Sequence, residues 1–137
     1  MNDGIPEIPI VRDTYREKPK SNILLYLMDK GNFSRVDVCK LLGLKNSTYI
    51  DNMLHRDSLD LDKVMALLNA ADMSMCLLDK NDNPVVKIDP YDFLYKSNIN
   101  YIINYKEFKD ENRKEKYEEY LKLKEKLKQY EEELGVQ

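Results

Sequence analysis

The chain has 137 residues, 34% of them charged and 42% hydrophobic, with a net charge of −3. That is enough for one globular domain with extensions and a modest core. A single histidine, two cysteines in separate apolar runs and four scattered glycines argue against a metal centre, a disulfide framework or a glycine-rich phosphate loop.

Residues 1–20 hold Pro6, Pro9 and Pro19, which argue against a helix. Arg12, Arg16, Lys18 and Lys20 make the second half basic. This stretch is read as an N-terminal arm, extended or disordered. It is either a solvated tail or a segment that follows a nucleic-acid backbone.

Ser34 to Arg56 reads as a short helix, a glycine turn and a second helix. Ser34 can N-cap the first helix through its hydroxyl. Val36, Val38, Leu41 and Leu42 form its apolar face. Cys39 is a small mid-helix residue where another helix can cross closely. Gly43 ends the helix in a left-handed conformation, and Leu44 plugs the turn. Asn46 or Ser47 caps the next helix, which carries Ile50, Met53 and Leu54 inward. Thr48, Asp51, Asn52 and His55 are left facing outward. A short helix followed by such a turn is how small proteins present one helix to the DNA major groove.

Val38-Cys39-Lys40-Leu41-Leu42-Gly43-Leu44 resembles the leucine-alanine-x-x-leucine-glycine-isoleucine core of the phage-repressor (Cro/Xre-like) helix-turn-helix family. Cys39 falls at that family's small-residue position and Gly43 at its turn glycine. Ser47-Thr48-Tyr49-Ile50 resembles the start of its recognition helix. Asn22–Lys30 resembles its first helix. SLDLDKVMALLNAADM resembles the helix after recognition, with Leu59, Leu61, Val64, Leu67 and Leu68 as the core face. The resemblance spans roughly residues 21–88. It departs in register: the apolar positions of the second helix, Ile50 and Met53, fall one later than the family pattern.

Met75–Leu78 and Val85–Ile88 are apolar runs flanking Lys80-Asn81-Asp82-Asn83-Pro84, a hairpin signal. Because a lone two-stranded hairpin is marginal, it should pack on the helices or pair with a strand of a second copy. Some members of the resembled family carry such an element after the helical core. Tyr91, Phe93, Leu94, Tyr95, Tyr101, Ile102, Ile103 and Tyr105 then crowd into a segment read as a packing or dimer surface.

From Lys106 to Leu134 helix propensity is high. Tyr120, Leu123, Leu127, Tyr130 and Leu134 fall at alternating steps of three and four, an a/d seam about two heptads long. Glu119 and Lys126 occupy g positions, and Lys124 and Glu131 occupy e positions. Two readings stand: a parallel coil with a second copy, or one amphipathic helix folded back on its own domain. Gly135 stops the helix.

The expected fold is mainly α, a helix-turn-helix bundle of four to five helices with a β-hairpin and a long C-terminal helix. The expected segments are the arm at 1–20, a helix-turn-helix domain at 21–73, the hairpin at 74–89, and a tyrosine-rich segment with the C-terminal helix at 90–137. Both cysteines are expected to be buried in a reducing compartment. With no signal-peptide pattern and no run of about 20 apolar residues, the protein is expected to be soluble and cytoplasmic.

The expected function is sequence-specific binding of double-stranded DNA by a homodimeric transcriptional regulator. No enzymatic activity, cofactor or metal is expected. Arg35, Lys45, Asn46, Ser47, Thr48, Asn52, His55 and Arg56 are the candidate DNA contacts, and Tyr120, Leu123, Leu127, Tyr130 and Leu134 the candidate dimer contacts. Between residues 20 and 72, seven Lys or Arg are matched by seven Asp, which weakens a phosphate-driven reading. The alternative is a protein-binding adaptor or inhibitor of the anti-CRISPR kind, or an antitoxin-like protein that captures a second protein through its C-terminal helix.

Overall fold

Pro19, counted above against a helix, opens one. The computed structural model describes residues 18–135; most of the expected arm, including Arg12 and Arg16, lies outside the described residues. The first helix, α1, spans Pro19–Gly31. Proline suits this position because its missing N–H would be unpaired there anyway. The start of α1 is capped by a residue far away in sequence. The Ser21 amide donates to Asp57 Oδ1 at 2.8 Å, and the Ser21 hydroxyl donates to the Leu54 carbonyl at 2.6 Å.

Helix α2 (Arg35–Leu42) begins with a reciprocal capping box. The Asp37 amide donates to Ser34 Oγ at 3.1 Å, and the Ser34 amide returns to Asp37 Oδ2 at 2.9 Å. It ends at Gly43, whose φ of +68° is the left-handed conformation expected of it. The Leu44 amide then reaches back to the Cys39 carbonyl at 2.8 Å. Helix α3 spans Thr48–Arg56. Of the two candidate caps, Asn46 supplies the side-chain bond, accepting from the Thr48 amide at 3.0 Å, while Ser47 makes none at the cap position. Helix α4 (Leu61–Ala70) is capped by Asp60, which accepts from the Lys63 amide at 2.9 Å and the Lys63 ammonium at 2.5 Å.

Helix α4 packs against α1 and α2, and α3 packs against α1 and α2. Leu24, Val38, Leu41, Ile50, Met65 and Leu67 are fully enclosed between them. Two expected core positions are exposed. Val36 lies two residues before Val38, so the two point about 200° apart around the helix, and Val36 faces water. Leu61 occupies the first helical position of α4, beside the cap, and is likewise open. Met65 and Ala66 are buried in addition to Leu67 and Leu68, because α4 has neighbours on more than one side.

The hairpin forms as expected. Strand β1 (Met75–Leu78) pairs antiparallel with β2 (Pro84–Ile88), with Met75 opposite Ile88, Leu77 opposite Val86, and an irregularity between Leu77 and Leu78. Asp79 organises the turn by accepting from the Asn81 and Asn83 amides at 2.8 and 3.0 Å. Those backbone bonds, Asn83's first, hold its carboxyl below the usual range. Cys39 is buried as expected, and burial pushes its thiol pKa up. Cys76 is exposed, a correction to the sequence reading: only Met75 and Ile88 of the hairpin are even half-buried.

The tyrosine-rich segment is two helices. Helix α5 (Pro90–Ser97) is capped by Asp89, opens on a proline and packs on α4 through the buried Leu94. Helix α6 spans Asn100–Glu133, beginning six residues before the expected Lys106. Its opening turns close on the bundle: Asn104 Nδ2 donates to the Leu41 carbonyl at 3.3 Å. The described residues up to Tyr105 form one compact unit, and those from Lys106 onward form another. The second unit is helical to Glu133, and Gly135 takes a φ of +71° just past its end. Among the described residues, no helix is long and apolar enough to cross a membrane.

Asp60 links this fold to pH. Burial alone would raise its carboxyl pKa, but hydrogen bonds from the Lys63 ammonium and amide and the Lys63 charge outweigh that and hold it low. A depressed folded-state pKa adds stability above the unfolded value, and that stability is lost as pH falls through the folded value. Asp60→Asn keeps a capping side chain and removes the charge. Its melting temperature should lie below the parent's at neutral pH, and the gap should close in acid, once the pH has fallen below the depressed folded-state value. Thermal melts at both pH values check this, and a gap that persists in acid would overturn it.

Candidate nucleic-acid interface

Helix α3 rests on the bundle through Ile50, fully enclosed, and Met53. A helix turns 100° per residue, so this inward pair fixes the outward face. Thr48, Asn52 and His55 form one exposed stripe, with Tyr49, Asp51 and Arg56 exposed beside it. Lys45, Asn46 and Ser47 are exposed on the approach to the helix. Seven of the eight expected contact residues therefore lie together on or just before α3. The eighth, Arg35, sits at the first position of α2.

Arg35 is not an open cation. Its guanidinium makes an ion pair with the Asp51 carboxylate of α3, where both side chains are about half exposed. Arg35 is engaged rather than free to hold a phosphate, and the Asp51 charge, which would repel a phosphate, is offset. An exposed pair of this kind contributes about 0–1 kcal/mol, so a competing anion can displace it at little cost. Lys18, Arg35, Asp51, Leu54 and His55 line a shallow pocket of about 240 Å³. The pocket brings three basic residues from three different parts of the sequence to the edge of α3.

Two members of this surface are absent from the expected contact set. Lys18 was read as part of the arm, and only the position of α1 brings it beside His55. Tyr49 was not singled out, although it directly precedes the inward Ile50 and so had to face away. Of the expected dimer residues, Tyr120, Leu123, Leu127 and Tyr130 lie on α6 and Leu134 directly follows it, and all five are exposed. The chain matches no protein-family model, no curated protein and no solved structure.

Proposed function

We propose that this protein binds double-stranded DNA through α3, with sequence preference, as a dimeric regulator of transcription. The observation that supports this reading is the α3 surface. A polar stripe of Thr48, Asn52 and His55 stands opposite the buried Ile50 and Met53, and Lys18, Arg35 and His55 converge at its edge. In this reading α2, the Gly43 turn and α3 are a helix-turn-helix, and α3 enters the major groove.

Asn52 offers the amide pair that reads an adenine edge. Asn46, Ser47 and Thr48 hydrogen-bond base edges or phosphate oxygens near the start of α3. Lys45 and Arg56 hold phosphates at its two ends. A phosphate at the pocket competes with Asp51 for Arg35 and gains Lys18 and His55 as further partners.

The test is selection from a pool of random duplexes, with sequencing of what binds, at two salt concentrations. A palindromic motif with half-sites about one turn apart, bound less tightly in high salt, is the expected result. Asn52→Ala should then lose about 1–3 kcal/mol of discrimination at one base pair while non-specific binding survives. Equal loss on cognate and random duplexes would remove that residue from base reading. Lys45→Ala and Arg56→Ala should each weaken all duplexes alike and lower the salt slope by about one.

A second reading, a protein-binding adaptor or inhibitor, is favoured by the exposed Val36 and Tyr49 and by the balanced charge of residues 20–72. No duplex enrichment at low salt would select it.

A further inference from the structure

The far end of α6 carries an apolar stripe that no described residue covers. Tyr120, Leu123, Leu127, Tyr130 and Leu134 are each at least 50% exposed. Their spacing of three and four keeps the first four on one face of α6, and Leu134, one residue past its end, stays in line because its amide still donates to the Tyr130 carbonyl at 3.0 Å. Upstream, the same heptad positions are Arg113 and Lys116, so the stripe begins at Tyr120 and ends where the helix ends.

We infer that residues 119–134, the last turns of α6 and Leu134 after it, associate with the same segment of a second copy as a parallel, in-register coiled coil. The flanking charges fit a second copy, and the charges together with the apolar layers set its direction. In a parallel pair each g position faces the e position five residues later on the other helix. That sets Glu119 against Lys124 of the second copy and Lys126 against Glu131, and symmetry repeats both pairs. Turning the second helix round sets g against g, e against e, and each a layer against a d layer. One antiparallel register then brings Lys126 to Lys126 of the second copy and Lys124 to Lys124, and leaves Leu134 without a partner layer. The other brings Lys126 to Glu133 and Lys124 to Glu131, and leaves Tyr120 without one. Only the parallel pair satisfies all five apolar layers and the opposite-charge pairs together.

The helix is already formed through this segment, so association is not burdened with nucleating it. Five apolar layers make a short coil, and the dimer should dissociate on dilution. This inference does not depend on the DNA reading, since it uses no residue of α3.

Sedimentation velocity of the full chain over a range of concentrations tests it without DNA present. A dimer that gives way to monomer on dilution is the expected result, and a monomer throughout would overturn the inference. Leu127→Asp places a carboxylate from each copy in the central layer and should raise the dissociation constant on the order of 100-fold or more. Leu121→Asp, on an exposed position outside the stripe, should leave it unchanged. Equal effects of the two would overturn the assigned face.

Direction is read by Leu134→Cys in a Cys76→Ser background. In the parallel coil the two new thiols share a layer and should oxidise to a disulfide-linked dimer, which Leu127→Asp abolishes. In the two antiparallel registers they stand about 16 or about 27 Å apart along the axis, too far for a disulfide. A dimer that forms without that cross-link would overturn the parallel arrangement.

Discussion

Leu94→Ala should lower the free energy of unfolding by about 2–5 kcal/mol, the range for truncating a large aliphatic side chain in a closed core. Leu94 is fully buried, and α5 is held against α4 there while Tyr91 and Tyr95 stand in solvent. The eight-residue α5 is too short to be helical without such support. Its Asp89 cap and Pro90 start join it directly to β2, so a loosened α5 also frees the base of the hairpin. Urea unfolding followed by circular dichroism measures the effect. Tyr95→Ala, on the open side of the same helix, is the companion and should stay within about 0.5 kcal/mol of the parent. Similar small changes for both variants would mean that α5 is an appendage rather than part of the core.

That helix also marks where the sequence stopped being legible. The signals that worked were local. Ser34 and Asp37 lie three residues apart and cap each other, Gly43 provides the left-handed turn, and the Asp79–Asn83 cluster closes the hairpin within five residues. The Pro90–Tyr105 segment was harder, because tyrosine and asparagine are indifferent helix formers and only Leu94 among its first eight residues is buried with Pro90. The cue was Asp89 followed by a proline, a helix start in two residues.

The candidate surface was legible in its outline and not in its pairings. Thr48, Asn52 and His55 follow from helical periodicity alone. The Arg35–Asp51 ion pair joins residues 16 apart, and the Ser21–Asp57 bond joins residues 36 apart. Both depend on how helices cross, which no local pattern encodes. Lys18 reaches the pocket for the same reason. Cys76 was read as buried because its neighbours are apolar, yet a two-stranded hairpin has no second layer to bury it.

The register of α3 decides which side chains any partner can meet, and a pair of adjacent substitutions tests it. Ile50→Ala should cost about 2–5 kcal/mol, whereas Tyr49→Ala should stay within about 0.5 kcal/mol of the parent. Ile50 is fully enclosed and Tyr49 is 46% exposed. One residue is 100° of helix rotation, so a register shifted by one would reverse the two costs. The expected loss at Ile50 is large because α3 has nine residues and few anchors, with Ile50 and Met53 buried and Leu54 half-buried. A helix that short relies on tertiary packing for its stability. Urea midpoints of the two variants give the register directly. The same pair then separates two causes of weakened duplex binding. Tyr49→Ala leaves α3 in place, so any loss of affinity reports a contact made by its surface. Ile50→Ala unseats the helix, and its loss should shrink at low temperature or in a stabilising osmolyte, where the population with α3 docked recovers.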